Sequence, residues 1–289
     1  MRILGIEVSA ALMTDWRSWL APSSQPFFMS ASFTGVATSA ERELSPELRD
    51  TYRAYNLERG MRTVWLDETG FASLPKDTRA RLVRTQANCG RGAVPTVRSW
   101  GDLIDPQLLR AQADGHRFVW WSSLLAHNTE SILRRVVSYD RATSRHEEVS
   151  ERTWRSCANI LPEARALAGT FHQGSGPNCF TTVMAVCGEA NAADVWGRRS
   201  PFEEWLESKT RFGGDDNSPG TILVWRDGDG LAQHAAVTIG DGWGLEKPSQ
   251  DWHSPRTVLG VREMVKGNRI RGLRLQRRKL VDPLPRARA

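Results

Sequence analysis

The stretch that most limits what this chain can become runs from Pro219 to Ser249. Three apolar runs, TILVWRD, AQHAAVTIG and WGLEKPS, are separated by the turn sequences DGDG and GDG. Short runs rich in Val, Ile, Thr and Trp suit strands, and Asp and Gly supply the backbone freedom of a tight reversal. The pattern predicts an antiparallel meander. Upstream the spacing is helical. ERTWRSCANIL sets Trp154, Cys157, Ala158 and Leu161 at helical intervals and stops near Pro162, EARALAG follows, and FEEWLESKTRF reads as a further helix. Helices followed by a meander predict an α+β fold.

The first half offers scaffold with little chemistry. A helix is expected after an N-cap at Ser45 and another opening at Pro75, with MRTVWLDE as a short strand between them. SILRRVVSYD and RHEEVSER flank Arg141 to Ser144 and read as a hairpin, on the strength of Val136, Tyr139 and Val149. RTVLGVREMV and RIRGLRLQ are the last candidate strands. The expected organisation is an N-terminal accessory region over 1–150, the helix-and-meander region over 151–265, and a basic strand or tail over 266–289.

Charge narrows the function classes. The 289 residues carry 39 Lys and Arg against 33 Asp and Glu, a net charge of +6. From Lys266 to Ala289 there are nine basic residues and one acid, Asp282, so this segment holds +8 and the rest of the chain sums to −2. A nucleic-acid-binding domain carries its positive charge on the folded core, so nucleic acid is disfavoured as a partner. The segment reads as a solvated run or as an edge strand with Arg on its outer face. Glu7 and Asp15 interrupt any leader-like apolar stretch, and FVWWSSLLA is the nearest approach to a membrane span, so a cytoplasmic protein with no membrane partner is expected. Four cysteines without a CxxC pair suggest neither a disulfide framework nor zinc, and no metal or cofactor is expected.

The chemistry gathers around one of those cysteines. In FHQGSGPNCFTTVMAVCGEA a Gly/Pro loop runs into an apolar helix that begins at about Asn178, which puts Cys179 in the first helical turn. Unpaired N–H groups and the positive end of the helix dipole favour a thiolate there. His234, 55 residues on, opens the strand HAAVTIG and can accept the thiol proton. Cys187 and Cys157 sit within apolar helical patterns and read as buried small hydrophobes, while Cys89, in NCGRGAV, has no histidine strand near it.

The loop Gln173-Gly174-Ser175-Gly176-Pro177-Asn178-Cys179-Phe180, with Gln six residues before the Cys and an aromatic directly after it, resembles the nucleophile block of the papain-like cysteine peptidases. Pro219-Gly220-Thr221-Ile222, then His234-Ala235-Ala236-Val237, then Gly240-Asp241-Gly242 is similar in order to their compact NlpC-type branch. The resemblance spans roughly Thr170 to Val265. It implies a nucleophile helix packed on an antiparallel sheet, an oxyanion hole of the Gln173 amide and the Cys179 N–H, and a third polar residue orienting the imidazole. Aligning Pro248-Ser249 with the NlpC-type ending puts Glu246 in that third place. His172, Asn178, Trp225 and Trp243 are the substrate-binding candidates, with a satisfied structural histidine as the competing reading of His172 and core packing as that of the tryptophans.

The implied activity is a cysteine-dependent amide hydrolysis or acyl transfer on a peptide or small amide through a thioester. The alternative is an inactive papain-like binding module whose basic tail engages an acidic partner or nucleic acid.

Overall fold

The computed structural model describes residues 1–37, 42–58, 60–112 and 114–281. The chain divides into two units: Ser9–Tyr139, and a second that joins Met1–Val8 to Asp140–Ala289.

The second unit holds the meander. Its main elements are α1 (Glu151–Cys157), α2 (Cys179–Val186), α3 (Arg199–Lys209), β1 (Thr210–Phe212), β2 (Thr221–Arg226), β3 (Ala232–Gly240), β4 (Trp243–Glu246), β5 (Thr257–Gly260), α4 (Val261–Gly267) and β6 (Arg274–Leu280). The six strands form one antiparallel sheet in the order β1-β6-β2-β3-β4-β5. Asp241 and Gly242 both take positive φ, +51° and +75°, and link the pair Gly240–Trp243 as a two-residue hairpin turn. The fold is mixed helix and sheet, with helices preceding the meander as expected.

Alternation along the strands sorts the side chains to two faces. Ile222, Val224, Ala235, Val237, Leu245 and Val258 pack in one cluster with Val183 and Val186 of α2 and with Trp154 and Cys157 of α1. Leu223, Trp225, Ala236 and Leu259 pack in another with Met264 of α4. Every residue of β3 from His234 to Gly240 is buried, as befits a strand covered on both sides. Each fully buried aliphatic side chain contributes about 2 kcal/mol, so α2 is held chiefly by what it covers.

The unit Ser9–Tyr139 contains a two-stranded antiparallel sheet, Ser24–Met29 against Arg62–Asp67, among short helices. Phe27 stacks on Phe71 in its core, and Trp121 packs at a tilt against both. The buried Arg91 guanidinium donates to Gln25 Oε1 (2.6 Å) and to the Pro26 carbonyl (3.0 Å).

Three expectations are corrected. The hairpin around Arg141 is absent: Thr129–Ser138 is a helix that buries Ile132, Leu133 and Val137, and His146–Glu148 is a single 3-10 turn. Helical spacing of the apolar residues overrides their β propensity there. RTVLGVREMV is not one strand, because β5 ends at Gly260 and α4 starts at Val261. Nor is the whole described part of the basic segment a solvated run: Lys266, Arg269, Arg271, Arg274 and Lys279 are exposed, but the chain from Arg274 to Leu280 is a strand. β6 lies between β1 and β2, and Arg278 is buried, its guanidinium on Glu207 (2.6 Å) and the Thr210 hydroxyl (2.7 Å). Arg277 bonds Asp216 at 2.9 Å. Asp282, Arg286 and Arg288 lie outside the described residues. Among those described, no helix is long and apolar enough to cross a membrane.

Candidate active site

The helix α2 begins with a capping box. Asn178 Oδ1 accepts the N–H groups of Phe180 (3.0 Å) and Thr181 (3.3 Å), and the Thr181 hydroxyl accepts the Asn178 N–H (3.1 Å). The Asn178 carbonyl takes the Thr182 N–H at 2.9 Å. The Cys179 N–H is therefore the amide of this turn without an acceptor among the described residues. It points from the positive end of a helix, where negative charge is stabilised.

The loop before the helix is held at several points. The Trp252 N–H donates to Ser175 Oγ (3.2 Å) and the Gly176 N–H to the Gln250 carbonyl (3.1 Å). His172 Nδ1 lies 2.9 Å from the Gly174 carbonyl oxygen and 3.1 Å from its nitrogen. Gln173, in the middle of this braced loop, is exposed.

His234 sits near the start of β3, paired across the ladder with Trp225, whose ring centroid is 5.2 Å from the imidazole. The register of β2 shifts beside it, between Trp225 and Arg226. Glu246 ends β4, one residue past the Val237–Leu245 pair. Two strands in register therefore bring the two side chains together: His234 Nε2 is 2.7 Å from Glu246 Oε2. Both are buried, at 8% and 4% exposure. The Cys179 thiol also lies close enough to act on the imidazole. With Nε2 on the carboxylate, Nδ1 is the nitrogen left for the sulfur.

Burial opposes the imidazolium, yet the Cys179 thiol and the Glu246 carboxylate on either side outweigh it and raise the His234 pKa to about 10. The other cysteines lack such partners. Burial pushes the Cys187, Cys157 and Cys89 thiols up, away from the reactive form.

The remaining candidates fall in different places. His172 braces the loop and sits 3.3 Å from Asp194. Asn178 uses both ends of its amide, capping α2 and donating to the Gly197 carbonyl at 2.8 Å. Trp225 is buried against the back of His234. Trp243, at the far end of the β3–β4 hairpin, lies under the Arg145 guanidinium, 4.6 Å from its ring centre. Lys247, next to Glu246, is fully buried and donates to the carbonyls of Ser249 (2.5 Å) and Asp251 (3.1 Å).

One site residue escaped the sequence. Asn268, the C-cap of α4, donates from Nδ2 to Glu246 Oε2 at 2.8 Å and to the Met264 carbonyl at 3.1 Å. An Asn after a helical run signals a helix end, but nothing in the order of residues ties it to a carboxylate 22 positions earlier. Glu246 Oε2 thus meets two partners, which fixes the direction of the carboxylate. Among the described residues no group of His, Cys, Asp and Glu is placed to hold a metal ion.

Comparisons with protein-family models, with curated proteins and with solved structures return no match.

Proposed function

We propose that this chain is a cysteine hydrolase or acyltransferase of papain-like, NlpC-type architecture acting on a peptide or small amide. The group Cys179–His234–Glu246 carries the reading, because a helix start and two adjacent strands supply a nucleophile, a base hydrogen-bonded to a carboxylate, and a thiol near enough to act on that base. A nucleophile helix on an antiparallel sheet, with base and carboxylate on consecutive strands, supports the architecture.

In the proposed reaction His234 holds on Nδ1 the proton drawn from Cys179, and the sulfur attacks the substrate carbonyl. The Cys179 N–H and the Gln173 amide donate to the oxyanion that forms. His234 returns its proton to the leaving amine, and the acyl group stays on sulfur as a thioester. Water releases an acid; an amine in its place gives a new amide. Glu246 keeps the Nε2 proton in place and stabilises the imidazolium between the two transfers. The alternative of an inactive module reading acidic partners through its basic segment has less support, since Arg277 and Arg278 are engaged by Asp216 and Glu207.

Iodoacetamide labelling read by peptide mass tests the proposal. Cys179 is expected to alkylate at least about tenfold faster than Cys187 near pH 6, with His234→Ala removing the advantage and Asn268→Ala reducing it several-fold. Equal labelling of the four cysteines would exclude an activated thiol. Once a substrate is found, Cys179→Ala is expected to cost at least about 1000-fold in rate, and retention of full activity would place the chemistry elsewhere.

A further inference from the structure

One short segment, Asp194 to Arg199, is tied by three separate bonds to residues that flank Gln173, Cys179 and His234. Asp194 Oδ1 is 3.3 Å from Nε2 of His172, the neighbour of Gln173. The Gly197 carbonyl accepts from Nδ2 of Asn178, the neighbour of Cys179, at 2.8 Å. Arg199 Nη2 reaches Oε1 of Gln233, the neighbour of His234, at 3.4 Å. Each tie ends one residue from a group with a proposed role in the reaction. Gly197 is pressed so closely on the cap that a Cβ there would lie 2.2 Å from Asn178 Oδ1, so the strap cannot slide without moving the nucleophile's own anchor.

Between the first two ties stand Val195 and Trp196, with 48% and 59% of their surface exposed. Of the twelve tryptophans, Trp196 alone is exposed. A solitary exposed apolar residue is ordinary. An indole and a valine whose backbone is tied on both sides to neighbours of the proposed reactive groups can serve as a preset apolar wall. Trp225 and Trp243, the aromatic candidates from sequence, are buried against His234 and covered by Arg145, which leaves Trp196 as the indole presented to a ligand.

We infer that Trp196, with Val195, is the specificity wall of the site and selects amides whose acyl part carries a large apolar side chain, aromatic or branched, beside the scissile carbonyl. This rests on the cysteine-hydrolase reading above. The side chain lies against the indole while the carbonyl faces Cys179, and the three ties keep the wall from retreating, so little ordering entropy is lost on binding.

The 4-nitrophenyl esters of N-acetyl phenylalanine, leucine, glycine and aspartate test it. Cys179 sulfur attacks the ester carbonyl, the bond to the nitrophenyl oxygen breaks, nitrophenolate leaves with the electron pair, and the thioester is hydrolysed by water. Nitrophenolate release is measured with wild type, Cys179→Ala, Trp196→Ala and Trp196→Phe, and the adduct is located by mass. The phenylalanine and leucine esters are expected to acylate Cys179 about tenfold faster than the glycine and aspartate esters. Trp196→Ala is expected to shrink that ratio to within about twofold, and Trp196→Phe to keep most of it. A ratio that survives Trp196→Ala, including an equal loss across all four esters, overturns the inference, as does an absence of preference in wild type with Cys179 still acylated. Release at the same rate from wild type and Cys179→Ala for every ester overturns the cysteine-hydrolase reading as well.

Discussion

At the scale of single residues, His234 shows how partners outweigh burial. A histidine this enclosed would be neutral on desolvation alone. The thiol and carboxylate beside it raise its pKa to about 10, above the ~6.5 of an unfolded chain. A proton held more tightly by the folded state stabilises that state. The contribution is complete below pH ~6.5 and fades as pH climbs through about 10. The stability difference between wild type and His234→Gln is therefore expected to be largest near pH 6 and to fall towards pH 10 in urea unfolding. A difference that grew with pH would mean that the ring is held neutral. Cys179 and His234 were legible as a pair because a helix start and a strand start are local events with local signatures. Glu246 came from alignment with the family pattern. Asn268 did not show, because its role depends on where α4 ends in space.

At the scale of elements, the cap of α2 ties stability to the site. Asn178 accepts two first-turn N–H groups and anchors Gly197 with the same amide. Asn178→Ala is expected to cost about 1–2 kcal/mol in urea unfolding and to slow labelling of Cys179; unchanged stability would show that the capping box is dispensable. The strands β2 and β3 were readable almost to their ends, since alternation and Asp/Gly turns both act within a few residues. Ser45 and Pro75 marked helix starts for the same reason: Ser45 Oγ accepts the Leu48 N–H and Pro75 directly precedes Lys76–Asn88. The segments 129–138 and 257–267 misled because β-branched residues in short apolar runs fit either period. What separated them was the surface available to bury Ile132, Leu133 and Val137 in one and Val261 and Met264 in the other.

At the scale of the molecule, the unit that carries the site takes chain from both ends. Met1–Val8 belong to it, with the Ser144 N–H on the Leu4 carbonyl at 2.9 Å. Its sheet is completed by β6, whose Lys279 pairs with Thr221 and Arg211 and whose Leu280 packs against the main core. Read as a solvated tail, residues 279–289 should be removable without effect. With Leu280 packed against the core and the Val281 N–H on the Lys209 carbonyl at 2.9 Å, their deletion is instead expected to cost about 2–3 kcal/mol. An unchanged unfolding midpoint would return them to the solvated class. By itself the sequence determined the meander, the apolar helix and the placing of a cysteine at that helix's start, because turn chemistry, periodicity and capping act over a few residues. Only the tertiary structure decided that Glu246 faces His234 and Asn268, that part of a basic run becomes an inner strand, and that the residue after Trp196 is tied to the cap of α2. Those outcomes depend on register and on which surfaces meet, and both are fixed by packing between segments far apart in the chain.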